Sequence, residues 1–177
     1  MANIVYIATS LDGYIADREG GLDWLMSVPN SDNSDFGFAE FMSGVDALVM
    51  GRNTFETVVG FGQWPYEKPV FVVSNSLESI PESHIGKAFL IKGAPEDIVR
   101  ELHGKGFYNL YIDGGRCIQG FMAEGLIDDL IISTIPVVLG GGVSLFGELP
   151  ALQHYDLVSS EVLVNAIVKS HYKRNTK

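Results

Sequence analysis

Two places in this chain set an arginine directly behind glycine where a strand-like run gives way to a helix-like one. They are Gly51-Arg52-Asn53-Thr54 and Gly114-Gly115-Arg116-Cys117. Glycine lets a backbone approach an anion closely, and the first free N–H groups of a helix point at it. Arginine adds a planar fork that matches phosphate oxygens. One such junction alone is as well explained by a turn with a solvated arginine. Two within 177 residues point to a ligand with phosphates at both ends, a description that a pyridine dinucleotide meets.

The elements that must position these corners follow from residue type and periodicity. Asn3–Thr9 is a strand-like apolar run that ends in the turn Ser10-Leu11-Asp12-Gly13, with Tyr14-Ile15-Ala16 as the return. Asp35–Ser43 shows a loose helical face. Strands are expected at 46–50, 69–73, 88–91, 108–112 and 130–135, and helices at 54–59, from Pro95 to near Gly104, and at 116–124. Pro95 with Glu96 and Asp97 is a favourable helix start, because proline suits the first position and acids suit the first turn. Asp156–Leu163 and Ala166–Tyr172 read as an antiparallel hairpin turning at Val164-Asn165. No repeat or linker divides the chain, so residues 1–177 are taken as one domain.

Composition narrows the function. Twelve basic against twenty-two acidic side chains give a net charge of −10, which disfavours nucleic acid and anionic membrane as partners. Arginines beside glycine loops are therefore local exceptions to an acidic background. No apolar run nears the roughly 18 residues that cross a bilayer, and no signal peptide is evident, so a cytoplasmic address is expected. The lone Cys117 has no disulfide partner, and no Cys/His spacing suggests a metal. A helix start and Arg116 would make Cys117 a reactive thiol; a small residue chosen for packing is the favoured reading.

Four segments in order carry a resemblance that covers nearly the whole chain. They are Ala8–Ala16, Val49–Glu56 (Val-Met-Gly-Arg-Asn-Thr-Phe-Glu), Val72-Val73-Ser74-Asn75, and Ile112-Asp113-Gly114-Gly115-Arg116 with Pro136–Gly142 beyond. Together they resemble the dihydrofolate reductase-like superfamily, and more closely its branch named for the reductase domain of riboflavin biosynthesis. The resemblance implies a three-layer α/β/α fold, with a mostly parallel sheet of about eight strands, a C-terminal antiparallel hairpin and about four helices. It implies NADPH as cofactor and a homodimer, for which the apolar run Leu130–Val138 would supply an exposed interface strand. Ala8 and Ile15 would face the nicotinamide. Gly51, Arg52, Asn53 and Thr54 would bind pyrophosphate and adenosine phosphate. Val73, Ser74 and Asn75 would lie toward the 2′-phosphate with Arg52 as charge partner. Ile112, Gly114, Gly115, Arg116 and Cys117 would wrap the other side of the pyrophosphate.

The same resemblance places a proton-handling acid at Asp35, on the helix before the Gly51 strand. Burial among Phe36, Phe38 and Trp24 would raise its pKa, which suits a proton donor or a binder of an aminopyrimidine ring. Capping of the helix start explains Asp35 equally well. Asp12 would lie near the substrate, unless it only serves its Asp-Gly turn; Trp24 would sit on a substrate-gating loop. The chain also departs from the branch. Where an Asp-Asp-Pro stretch is usual, it has Gly60-Phe61-Gly62-Gln63-Trp64-Pro65, and Ile118 stands where folate reductases carry an aromatic. The expectation is therefore an NADPH-dependent reductase of a small pterin- or aminopyrimidine-like heterocycle. A non-catalytic nicotinamide-dinucleotide-binding or sensing protein is the alternative.

Overall fold

In a computed structural model that describes residues 1–176, the chain alternates strands and helices around one large sheet. The strands are β1 (Ala2–Thr9), β2 (Tyr14–Ala16), β3 (Ala47–Gly51), β4 (Val70–Val73), β5 (Ala88–Ile91), β6 (Asn109–Asp113), β7 (Asp129–Thr134), β8 (Val143–Ser144), β9 (His154–Leu163) and β10 (Ile167–Asn175). The helices are α1 (Phe38–Ser43), α2 (Arg52–Gly60), α3 (Pro95–Gly104) and α4 (Gly115–Ala123). The eight-stranded sheet has the order β5-β4-β3-β6-β1-β7-β10-β9. It is parallel from β5 through β7, and the hairpin β9–β10 closes one side antiparallel. This is the three-layer arrangement expected of a dihydrofolate reductase-like fold.

Strand alternation sorts the core into two layers. Val5, Ala47, Val49, Leu110 and Ile112 point to one face, where Ile98 and Leu102 of α3 and Ile118, Phe121 and Met122 of α4 cover them. Leu48, Met50 and Tyr111 point to the other, against Phe55 of α2 and Phe38, Phe41 and Met42 of α1. Strands buried on both faces read as continuous apolar runs, as Ala47-Leu48-Val49-Met50 does.

The chain steps outward from β3 to β5, then returns to insert β6 between β3 and β1. Open sheets bind ligands where strand order reverses, outside the carboxyl ends of the strands. Here that place is the shared tip of β1, β3 and β6.

One expectation changes. The run Leu130–Val138 supplies no free interface strand, because β7 is hydrogen-bonded to β1 on one side and β10 on the other. Its apolarity belongs to an interior strand. Of that run Val138, beyond the strand, is exposed, and the hairpin exposes several apolar residues of its own at Leu157, Val158, Val162 and Val168. Gly140-Gly141-Gly142 leads into β8, which pairs with β2 as a separate two-stranded sheet, and two- and three-residue strands leave no periodic signal in sequence. Among the described residues no helix is long and apolar enough to cross a membrane.

Candidate active site

A cleft of about 910 Å³ opens at the strand tips. Both glycine–arginine corners line it, as do Ala8, Ile15 and Val73. Adjacent register brings the corners together, since Met50 of β3 lies opposite Asp113 of β6 and each corner begins at the following residue. The approach is close enough that a Cβ on Gly114 would run into the Thr54 side chain. Gly114 also holds φ +90°, which L side chains rarely adopt. Gly51 differs: a Cβ there would meet nothing within 4 Å, so its open side is cleft space.

Neither helix start is closed by a capping side chain. Gly51 is the N-cap of α2 and Gly114 that of α4, and no side chain bonds the free N–H groups of either. Two unsatisfied sets of donors thus converge on one cavity, an arrangement suited to a diphosphate. Arg52 is held in place beside them. Its Nε donates to Glu56 Oε1 at 2.6 Å and its Nη1 to Ser76 Oγ at 3.1 Å. Residues present therefore fit the phosphates of a dinucleotide.

Above the corners sits the small sheet β2–β8. A Cβ on Gly115 would come within 2.9 Å of Val143 Cγ1 and 3.3 Å of Ile15 Cδ1, so Gly115 lets this sheet press on the start of α4. Gly142 is equally constrained, since a Cβ there would strike the Ala16 carbonyl oxygen. Asp12 ties the same loops. Its carboxylate accepts from Gly140 N at 2.7 Å, Leu139 N at 3.1 Å and Ser10 Oγ at 2.6 Å. These bonds, the Ser10 hydroxyl foremost, hold its pKa down to about 2. Arg18 adds a bond from Nη2 to Gly140 O at 2.8 Å. Asp12 is therefore an exposed loop clasp outside the cleft wall rather than a substrate contact.

Asp35 corrects a second expectation. It is exposed, and its oxygens accept from Gly37 N and Ala39 N, both at 2.9 Å. The Ala39 bond first, then the Gly37 bond, lowers its pKa instead of raising it. Asp35 closes the first turn of α1, where local backbone donors outcompete burial. Trp24 also stays off the cleft wall. Its Nε1 donates to Gly21 O at 3.2 Å, while its neighbours Leu22 and Leu25 face the cavity.

Three expected cofactor contacts lie elsewhere. Ile112 is wholly buried in the core, and Asn75 is exposed beyond the wall. Ser74 is buried, with its hydroxyl accepting from Ser76 N and Leu77 N; Ser76 reaches the cleft in its place. Cys117 does line the cleft, but burial, followed by the nearby Asp113 charge, pushes its pKa up to about 12. It is a packed residue, with Sγ 3.9 Å from Val49 O, and not an activated thiol.

Two acids line the cleft, Glu56, which is paired with Arg52, and Asp113, a residue given no role from sequence. It ends β6 and lines the cavity with Tyr66. Burial raises its pKa to about 6, against a partial opposing pull from the Gly114 N–H, which donates to Oδ1 at 2.8 Å. Tyr66 and Tyr111 are held neutral, their pKa values raised by burial first and by the Asp113 charge second. A carboxyl poised near neutrality can hold ring N–H groups or pass a proton. The available sequence signal was an acid at the end of an otherwise apolar strand, directly before two glycines.

A model of the RibD C-terminal domain matches residues 3–169. The uncharacterized protein YwjB of Bacillus subtilis is 37% identical over 174 residues, covering 97% of each chain. Among solved structures, a putative riboflavin biosynthesis protein from Shewanella sp. PV-4 superposes with a TM-score of 0.96 at 53% identity, over 99% of each chain. A dihydrofolate reductase from Enterococcus faecalis, complexed with NADP(H) and RAB-propyl, superposes with a TM-score of 0.67 over 98% of this chain and 96% of its own. At 18% identity, the latter likeness concerns the fold.

Proposed function

Since the chain belongs to the RibD C-terminal domain family, we propose that it is an NADPH-dependent reductase of a small pterin- or aminopyrimidine-like heterocycle. The observation that carries this reading is the convergence of the two uncapped helix starts, at Gly51 and Gly114, on one cavity with Arg52 and Arg116 on its wall. In it, the N–H groups of Arg52, Asn53 and Thr54 hold one side of the diphosphate and those of Gly115, Arg116 and Cys117 the other. Arg52 and Ser76 face the 2′-phosphate, and Ala8 and Ile15 flank the nicotinamide. That ring supplies a hydride when bound. The protein's share is orientation, a dry wall and a proton, and Asp113 is the group in the cleft whose ordinary range is moved toward neutral pH.

Energy transfer from tryptophan to NADPH tests cofactor binding: a saturable signal is expected, and a flat titration into the millimolar range would end this reading. Arg52→Glu is expected to weaken NADPH by about tenfold or more, and NADH far less, because a carboxylate would face the 2′-phosphate. Equal losses for both cofactors would remove Arg52 from that contact.

The protein also works, in this reading, as a homodimer. Support comes from β9, one of the two edge strands of the large sheet, which leaves an edge unpaired and exposes Leu157, Val158 and Val162. Such an edge invites pairing with a second copy about a two-fold axis. Sedimentation at micromolar concentration is expected to show a dimer that Val162→Lys weakens; a wild-type monomer throughout would remove the proposal.

A further inference from the structure

We propose that the substrate taken by this cleft is a neutral or cationic nitrogen heterocycle without a phosphate or carboxylate tail, held by the Asp113 carboxylate; this rests on the reductase reading above. The argument is a census of charge. Among the described residues on the wall, the ionisable groups normally charged at neutral pH are Arg52, Arg116, Glu56 and Asp113. Both cations belong to the helix starts that form the phosphate corners, and Arg52 is already engaged by Glu56 and Ser76. Once a dinucleotide phosphate is seated, its diphosphate and 2′-phosphate take both arginines and both sets of helix-start donors.

Apart from Glu56, which is paired with Arg52, and Thr57 beside it on the same helix, what remains of the wall is largely apolar around the Asp113 carboxylate. Ile7, Ala8, Leu22 and Leu25 supply hydrocarbon, Tyr66 a neutral phenol and Asp113 an acid. An anion placed there would sit unpaired beside Asp113 in a partly desolvated space, which is costly. A ring amidine or ammonium would instead gain a charge-assisted hydrogen bond.

The neighbouring cations and helix start that could pair with an anionic tail are engaged too. Ala8, Ser133 and Lys169 lie opposite one another across β1, β7 and β10, so Lys169 shares the row and face of Ala8, roughly 10 Å away at two strand spacings. Its Nζ is engaged by Phe36 O at 2.9 Å, by Glu161 Oε1 at 3.5 Å and by the face of the Tyr6 ring at 5.5 Å. The start of α1, against the same sheet face, is filled by the Asp35 carboxylate on Gly37 N and Ala39 N. Arg18 is bonded to Gly140 O. A net charge of −10 adds a long-range penalty for any further anion.

Calorimetric titration of the full chain, first with NADP⁺ and then, once saturated, with three probes, tests this. The probes are 2,4-diaminopyrimidine, 6-hydroxymethylpterin and the monophosphate ester of that pterin. Absence of NADP⁺ binding would overturn the reductase reading itself. With NADP⁺ bound, the diaminopyrimidine or the free pterin is expected to bind, and the ester at least tenfold more weakly than the free pterin. Asp113→Asn is expected to weaken diaminopyrimidine by about tenfold in protein that NADP⁺ still saturates, which shows the cleft intact. The proposal is overturned by ester binding as tight as the free pterin, by diaminopyrimidine binding indifferent to Asp113→Asn, or by no uncharged or cationic probe binding in the millimolar range.

Discussion

Asp113→Asn should yield a protein more stable than the parent at neutral pH and no more stable than it in acid. The sign follows from burial. The folded-state pKa of Asp113 is raised from 3.8 to about 6, so between these values the folded chain binds more protons than the unfolded one. Stability is then lost as pH rises through that window. Each pKa unit corresponds to about 1.4 kcal/mol, and Asp113 keeps some solvent contact, so a penalty of about 1–3 kcal/mol above pH 6 is expected. Asparagine carries no charge and retains an oxygen for the Gly114 N–H. Calorimetric melting between pH 4 and 8 checks this: the two proteins should coincide near pH 4 and separate by several degrees at pH 7.5, at roughly 2–4 °C per kcal/mol for a chain of this size. A constant separation across the range would mean that the carboxyl titrates normally. An acid kept in a cleft at a cost to the fold is the usual mark of a working group.

Gly114→Ala has the other large expected effect. The new methyl would sit at φ +90° and against the Thr54 side chain, so strain and overpacking add. Together they amount to about 2–5 kcal/mol of lost stability. Relief by displacing the start of α2 would part the two corners and lower NADP⁺ affinity by more than tenfold. Gly51→Ala separates packing from binding. Its φ of −76° is ordinary and its Cβ meets nothing within 4 Å, so stability should change little while the methyl intrudes where a phosphate would lie. Denaturant melts paired with NADP⁺ titration distinguish the two variants. Equal stability losses would contradict the packing described at the corners.

The corners were legible because everything that defines them is local: a strand tip, a glycine and an arginine within four residues. The mostly parallel sheet with its terminal hairpin followed from the succession of these motifs, whereas the order of strands within the sheet did not. The acids were not legible in the same way. Asp35 and Asp12 both sit near turns, and a short carboxylate finds backbone N–H groups before it finds a ligand. For Asp35 those donors are two and four residues ahead; for Asp12 they are Leu139 and Gly140, far along the chain. Asp113 was overlooked for the converse reason. Its perturbed acidity arises from burial in a cleft wall that also takes Tyr66, a residue from a loop remote in sequence. The exchange of Ser74 for Ser76 turns on which hydroxyl the turn after β4 directs inward, which composition does not encode. The apolar run of β7 was misplaced because an interior strand and an exposed interface strand look alike until their neighbours are known.

The small sheet joining residues 14–16 to residues 143–144 binds two stretches distant in sequence into one flap, riveted at Gly140 from both Asp12 and Arg18. Neither stretch can lift without the other. Parting the two stretches would break that pairing and both bonds at Gly140 in one event, so they are expected to move over the cavity as a unit.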